Sequence, residues 1–189
     1  MEVVVETSAR HAHVSRKDLD ILFGENYQLT KIKDLVQPGQ FASEETVKVT
    51  GPRGSFPTVR ILGPVRSATQ VELSLSDARS IGLNVPLRES GDLSGSSPCK
   101  ITGPKGEIDI PEGAIASKRH IHMTPADAKN FGFADGQVVS VKLSSSGRSL
   151  TFGDVVVRVR EDFALEMHID TDESNAAMLQ PGAIGEMIP

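Results

Sequence analysis

The sequence predicts a mainly β protein, built as β-barrels or sandwiches with short helical caps. Three observations carry this. Many short apolar stretches end at turn signals such as Gly51-Pro52-Arg53-Gly54 and Gly103-Pro104-Lys105-Gly106. Only four stretches read as helices, and each is short. The strands follow one another through turns rather than long helices, which argues against a doubly wound parallel sheet. The 189 residues also fall short of the roughly 250 that a (β/α)₈ barrel needs.

The elements follow in order. Val3-Val4-Val5 opens a strand running toward His11 and His13. Ser15 to Phe23 reads as a helix with Leu19, Leu22 and Phe23 on its apolar face and Gly24 at its end. Tyr27 to Val36 shows no clear period, and Pro38-Gly39-Gln40-Phe41 reads as a turn. Strands are expected at Glu45 to Thr50, Thr58 to Leu62, Gln70 to Leu73 and Ile108 to Ile110. Leu87 to Pro98 is a Ser/Gly-rich loop, a linker or a flexible lid over a ligand. Further strands are expected at Val138 to Leu143, Leu150 to Phe152 and Val155 to Val159. The last helix runs from Asp170 to about Leu179.

One unit recurs. Arg119-His120-Ile121-His122-Met123-Thr124-Pro125-Ala126-Asp127 is a strand followed by a helix start. Thr124 is a cap, Pro125 the first helical residue and Asp127 its partner. In a strand, i and i+2 share a face, so His120 and His122 point together. Arg10-His11-Ala12-His13-Val14-Ser15-Arg16-Lys17-Asp18 matches it position for position. Two weaker copies place Glu72 before Ser74, and His168 before Asp170. All five histidines fall inside these copies. His11, His13, Glu72, His120, His122 and His168 divide into two sets of three, implying two metals or one crowded site. Imidazole with carboxylate suits Zn²⁺, with Co²⁺ or Ni²⁺ acceptable, and three protein ligands leave a position open for chemistry. Arg66 approaches Glu72 in sequence and can hold a phosphate or carboxylate in a bidentate fork.

Bulk properties exclude other classes. The net charge of −5 and aromatic content of 4% argue against a nucleic-acid or anionic-membrane surface. The single cysteine, Cys99, excludes an internal disulfide and fits a reducing compartment. No apolar run of membrane-spanning length and no basic-then-apolar leader is visible.

The four motifs at Ser8 to Ser15, Arg66 to Ser74, Lys118 to Thr124 and Met167 to Glu173 resemble, in order and across the whole chain, the PduL-type phosphate acyltransferase (phosphotransacylase, phosphate propanoyltransferase) family. The resemblance implies two β-barrels capped by short α-helices, with interleaved connectivity: residues 1–25 with 118–189 in one, and 26–117 in the other. It implies a di-zinc site, with one metal on His11, His13 and Glu72 and the other on His120, His122 and His168. Arg66 would be the catalytic, phosphate-binding residue, and Gln70 and Glu166 non-ligands.

The implied reaction interconverts short-chain acyl-CoA plus phosphate with acyl phosphate plus coenzyme A, by direct transfer. Arg53 and Lys105 are weaker candidates for the phosphates of coenzyme A, solvated turn residues being the plainer reading. The expected location is the cytoplasm or a bacterial microcompartment lumen, without the encapsulation extension some members carry. A homo-oligomer is compatible with this reading. Two rival readings use the same ligands: a binuclear zinc hydrolase, and a non-enzymatic metal-binding β module.

Overall fold

A computed structural model describes residues 1–189. From the N-terminus come β1 (Glu2–Thr7), β2 (His11–His13), α1 (Arg16–Phe23), β3 (Lys31–Asp34), β4 (Phe41–Gly51) and β5 (Gly54–Gly63). Then follow β6 (Gln70–Glu72), α2 (Leu75–Ser80), β7 (Leu87–Arg88), β8 (Ser97–Thr102) and β9 (Glu107–Ser117). The last third holds β10 (His120–Met123), α3 (Pro125–Phe131), β11 (Val138–Leu143), β12 (Leu150–Val159), β13 (Glu166–Ile169), α4 (Thr171–Ala177) and β14 (Ile184–Ile188).

The chain divides into two compact units. One comprises Met1–Ser8, Val36–Pro38 and Lys118–Pro189; the other Ala9–Leu35 and Gly39–Ser117. The connectivity is therefore interleaved, but the boundary differs from the one expected. Residues 9–25, expected with the first barrel, belong to the second unit, because β2 pairs with β5 and β6. Strand pairing overrides chain proximity to β1.

The first unit is a closed barrel in the order β1-β13-β10-β12-β11-β14. Its N-terminal strand lies parallel to β13 and antiparallel to β14, which closes the ring. Val3 and Val5 alternate inward from β1 to meet Ile121, Met123, Val141, Val155, Val157, Met167 and Ile169. A six-stranded ring is narrow enough for such side chains to fill it.

The second unit closes through β4-β5-β2-β6-β9, with β8 bridging β9 back to β4 and with β3 and β7 appended. Its core holds Val47, Val49, Val59, Ile61, Val71, Ile101 and Ala114, with Leu19 and Leu22 from α1. The aperiodic Tyr27 to Val36 stretch contains the fully exposed edge strand β3. A strand without a buried face has no alternation to read.

All four helices begin at the residues the sequence marks. Ser15, Ser74, Thr124 and Asp170 each accept a hydrogen bond from the backbone three residues on, at Asp18, Asp77, Asp127 and Glu173. Helices this short barely hold in isolation, so a cap contributing about 1 kcal/mol matters to each.

The two Gly-Pro-basic-Gly turns seal helix ends in the second unit. The Arg53 N–H donates to the Ile81 carbonyl just past α2, at 2.9 Å, and the Lys105 N–H to the Leu22 carbonyl in α1, at 3.0 Å. A Cβ on Gly51 would sit 2.5 Å from the Ile81 oxygen, and one on Gly103 2.5 Å from the Leu22 oxygen. The repeat therefore satisfies helix carbonyls at close approach.

Candidate functional site

Each unit presents one largely buried cluster of candidate metal ligands, and both are built alike. In the second unit β2 runs antiparallel to β6, with His11 opposite Glu72, Ala12 opposite Val71 and His13 opposite Gln70. In the first, β10 runs antiparallel to β13, with His120 opposite His168, Ile121 opposite Met167 and His122 opposite Glu166. The middle residues Ala12, Val71, Ile121 and Met167 fill the cores, so the flanking residues share the other face.

The clusters His11–His13–Glu72 and His120–His122–His168 each bring one ligand atom per residue to within 4.8 Å of the others. The structure thus assembles the six residues into the two expected sets of three. The rings touch edge to face, with centroids 4.9 Å apart for His11 and His13 and 4.7 Å for His120 and His122.

Backbone carbonyls set the tautomers. Nδ1–H of His11 donates to the Ala9 carbonyl at 2.9 Å, that of His13 to Leu62 at 3.1 Å, and that of His120 to Lys118 at 2.7 Å. A carbonyl only accepts, so these rings keep Nε2 as the free lone pair. His168 is reversed: Nε2–H donates to Glu166 Oε2 at 2.7 Å, leaving Nδ1. Such outer partners orient and strengthen metal-binding imidazoles. Nδ1 of His122 is buried without a hydrogen-bond partner, the kind of orphaned polar atom that coordination satisfies. Donor chemistry, proximity and preset tautomers fit a zinc-like ion at each cluster.

The electrostatics keep His13 and His122 neutral but favour protonation of His11. Burial, then the charges of His11 and Arg66, hold His13 well below its ordinary pKa. Burial, then His120 and His168, push His122 down to about 2. His11 is raised, because the Glu72 carboxylate outweighs the burial that opposes it. Glu72 is held well below the carboxylate range: burial works against this, but His11 and His13 prevail.

Arg66 follows β5 and is tied to the same unit, its N–H donating to the Val14 carbonyl at 2.9 Å. Its Nη1 donates to Ser90 Oγ at 3.1 Å. Gln70 Nε2 donates to Glu72 Oε1 at 2.6 Å and to Ser90 Oγ at 2.9 Å, while its Oε1 accepts from the Gly91 N–H at 2.8 Å. Ser90 also hydrogen-bonds Glu72 and helps keep that carboxyl ionised. The Leu87 to Pro98 stretch lies wholly inside the second unit and is not a linker between the units. Two strand segments bound it, and Gln70 anchors its middle.

Sequence reasoning missed Ser90, whose Ser/Gly surroundings carry no period, and it left Gln70 and Glu166 without roles. Both sit opposite the second histidine of a pair and hydrogen-bond the nearby ligand. Gln37 was missed too. It is buried, donates to Glu166 Oε2 at 3.2 Å and pairs both ways with the Ala164 backbone.

Two closed barrels, each with a largely buried, imidazole-containing triad at one strand pair, define a duplicated β-barrel protein with a candidate metal site in each barrel. The family model for phosphate propanoyltransferase matches residues 4–180. A phosphate propanoyltransferase of Thermotoga maritima is 53% identical over 180 residues, covering 95% of this chain and 86% of that protein. One of Clostridioides difficile is 50% identical over 186 residues, covering 98% and 88%. One of Listeria monocytogenes is 45% identical over 186 residues, covering 98% and 87%. The chain belongs to the phosphate propanoyltransferase family and is an acyltransferase. No helix is long and apolar enough to cross a membrane.

Proposed function

We propose that the protein transfers a short acyl group between coenzyme A and inorganic phosphate, directly, with a zinc ion at each triad. The observation that carries this reading is the pairing of Arg66 with the His11–His13–Glu72 triad through one serine, in a chain of this family. His11, His13 and Glu72 would hold one ion, and His120, His122 and His168 the other. A zinc ion with three protein ligands supplies Lewis acidity toward a carbonyl or phosphoryl oxygen.

The chain's own residues do the rest. Arg66 offers a guanidinium fork for the phosphate, oriented by its bond to Ser90. Phosphate is already anionic near neutral pH, so its oxygen attacks the thioester carbonyl without a strong base, and coenzyme A leaves as the thiolate. Cys99 offers no covalent alternative: it is buried, and burial pushes its thiol up to about 12. Direct transfer is therefore preferred to an acyl-enzyme.

The test is release of coenzyme A from acetyl-, propanoyl- and butanoyl-CoA, with and without phosphate and with and without chelator. Release that requires phosphate and is abolished by chelation is expected. One methylene in an apolar pocket discriminates by about 1–3 kcal/mol, so neighbouring chain lengths should all react. Release without phosphate would point to a hydrolase; none under any condition would leave a metal-binding module.

A further inference from the structure

Each His-x-His strand is preceded by an arginine that the ligand sets do not use. Arg10 Nη1 donates to both carboxylate oxygens of Asp77, at 3.0 Å each. Arg119 Nε meets Glu173 Oε1 at 2.8 Å. Each guanidinium also lies over a phenylalanine ring, Arg10 at 4.3 Å from the Phe56 centroid and Arg119 at 5.4 Å from that of Phe152.

The acids are the residues that cap-pair with the N-termini of α2 and α4. The Asp77 N–H donates to Ser74 Oγ at 3.2 Å. Glu173 Oε2 accepts from the Asp170 N–H at 2.9 Å while its N–H donates to Asp170 Oδ1 at 2.9 Å. Ser74 stands two residues after Glu72, and Asp170 two after His168. A continuous chain of contacts therefore runs from the residue before one ligand to the turn just after the ligand opposite it. It passes outside the cluster in both units.

We propose that Arg10 and Arg119 are positioning residues, each clamping the two strands of one triad so that the facing ligands keep their separation. The same device occurs in two barrels whose ligands differ, His–Glu in one and His–His in the other. Its acids differ too, Asp77 and Glu173. A partly exposed ion pair contributes little to stability by itself, so folding energy does not account for its double occurrence. Metal affinity depends steeply on how outer partners orient the ligands. The clamp rests on the metal reading proposed above, and the test separates the two.

The full-length chain, stripped by chelation, is titrated with Zn²⁺ against a chromophoric competitor and with Co²⁺ by visible absorption. The variants are Arg119→Met, Arg10→Met, Glu173→Gln, Asp77→Asn and the exchanged pair Arg119→Glu with Glu173→Arg. Methionine keeps an apolar stem over the ring. Arg119→Met should weaken one of two sites roughly 10–100-fold and change its Co²⁺ spectrum, with the other site within about twofold. Arg10→Met should do the converse. Read in a His13→Ala background, the Arg119→Met loss should fall on the surviving site, and the exchanged pair should recover much of it.

Two unchanged sites in both methionine variants, beside a wild type that binds two ions, overturn the clamp alone. If Arg119→Met fails to fold, Glu173→Gln decides, and if Arg10→Met fails to fold, Asp77→Asn decides; unchanged affinity there also overturns the clamp. A wild-type chain that binds no metal overturns the metal reading and this inference with it.

Discussion

Glu72 faces His11 directly across the antiparallel β2–β6 pair, with 3.6 Å between its Oε1 and the imidazole Nε2. In the other barrel the same register place, opposite His120, holds His168. The two positions match in strand register and differ in donor type. Glu72→His should therefore still bind about two zinc ions per chain, whereas Glu72→Ala should bind about one, because two protein ligands rarely retain the metal. Elemental analysis of purified protein decides it; a full complement in Glu72→Ala removes that residue from the ligand set.

Arg66 and Ser90 act together, so their substitutions should grade. Arg66→Lys keeps the charge but loses the fork, and the KM for phosphate should rise about tenfold or more, equivalent to about 1.4 kcal/mol. Ser90→Ala leaves Arg66 in place but loosens it, and the rise should be smaller. Steady-state kinetics with varied phosphate check both. An unchanged phosphate KM in Arg66→Lys and Arg66→Ala would end the assignment.

Acid should destabilise the metal-free protein. His122 titrates at about 2 when folded, through burial first and then His120 and His168, and from 6.5 otherwise. The unfolded chain therefore binds a proton that the folded chain refuses across that window. The contribution of His122 is complete above 6.5 and is lost as pH falls. His13 works in the same direction, and Glu72 adds to it below 4.5. His11 opposes them: its raised pKa gives stability that is complete below 6.5 and lost as pH rises through the folded value. The urea midpoint should fall between about pH 7 and about pH 5, less steeply in His122→Asn and more steeply in His11→Asn. A midpoint independent of pH would contradict the assigned shifts.

The turns that cap α1 and α2 should tolerate no side chain at their close approaches. Gly51→Ala and Gly103→Ala each force a Cβ to 2.5 Å from a backbone oxygen. Each should cost about 1–3 kcal/mol, because backbone cannot yield as a flexible side chain can. Gly153→Ala, with nothing within 4 Å, is the control and should be near neutral. Urea unfolding of the metal-free chains compares the three.

Much of the protein was legible before folding was considered. Period-two alternation marked the buried strands, and Ser15, Ser74, Thr124 and Asp170 announced their helices, because caps and alternation are local physics. The His-x-His spacing likewise determined which side chains share a face. Pairing was not legible. That β2 leaves the N-terminal strand for β5 and β6 rests on contacts between residues far apart in sequence, which no local pattern encodes. The same holds for Ser90, Gln37, Gln70 and Glu166. Ser90, Gln70 and Glu166 reach Arg66 or a candidate ligand, and Gln37 reaches Glu166, through register and loop packing, so an ordinary serine or glutamine shows its place only when the barrel closes. The sequence by itself determined the elements and the candidate ligand types, because those depend on neighbours along the chain. The tertiary structure alone decided which strands face each other, and therefore which residues surround the ligands.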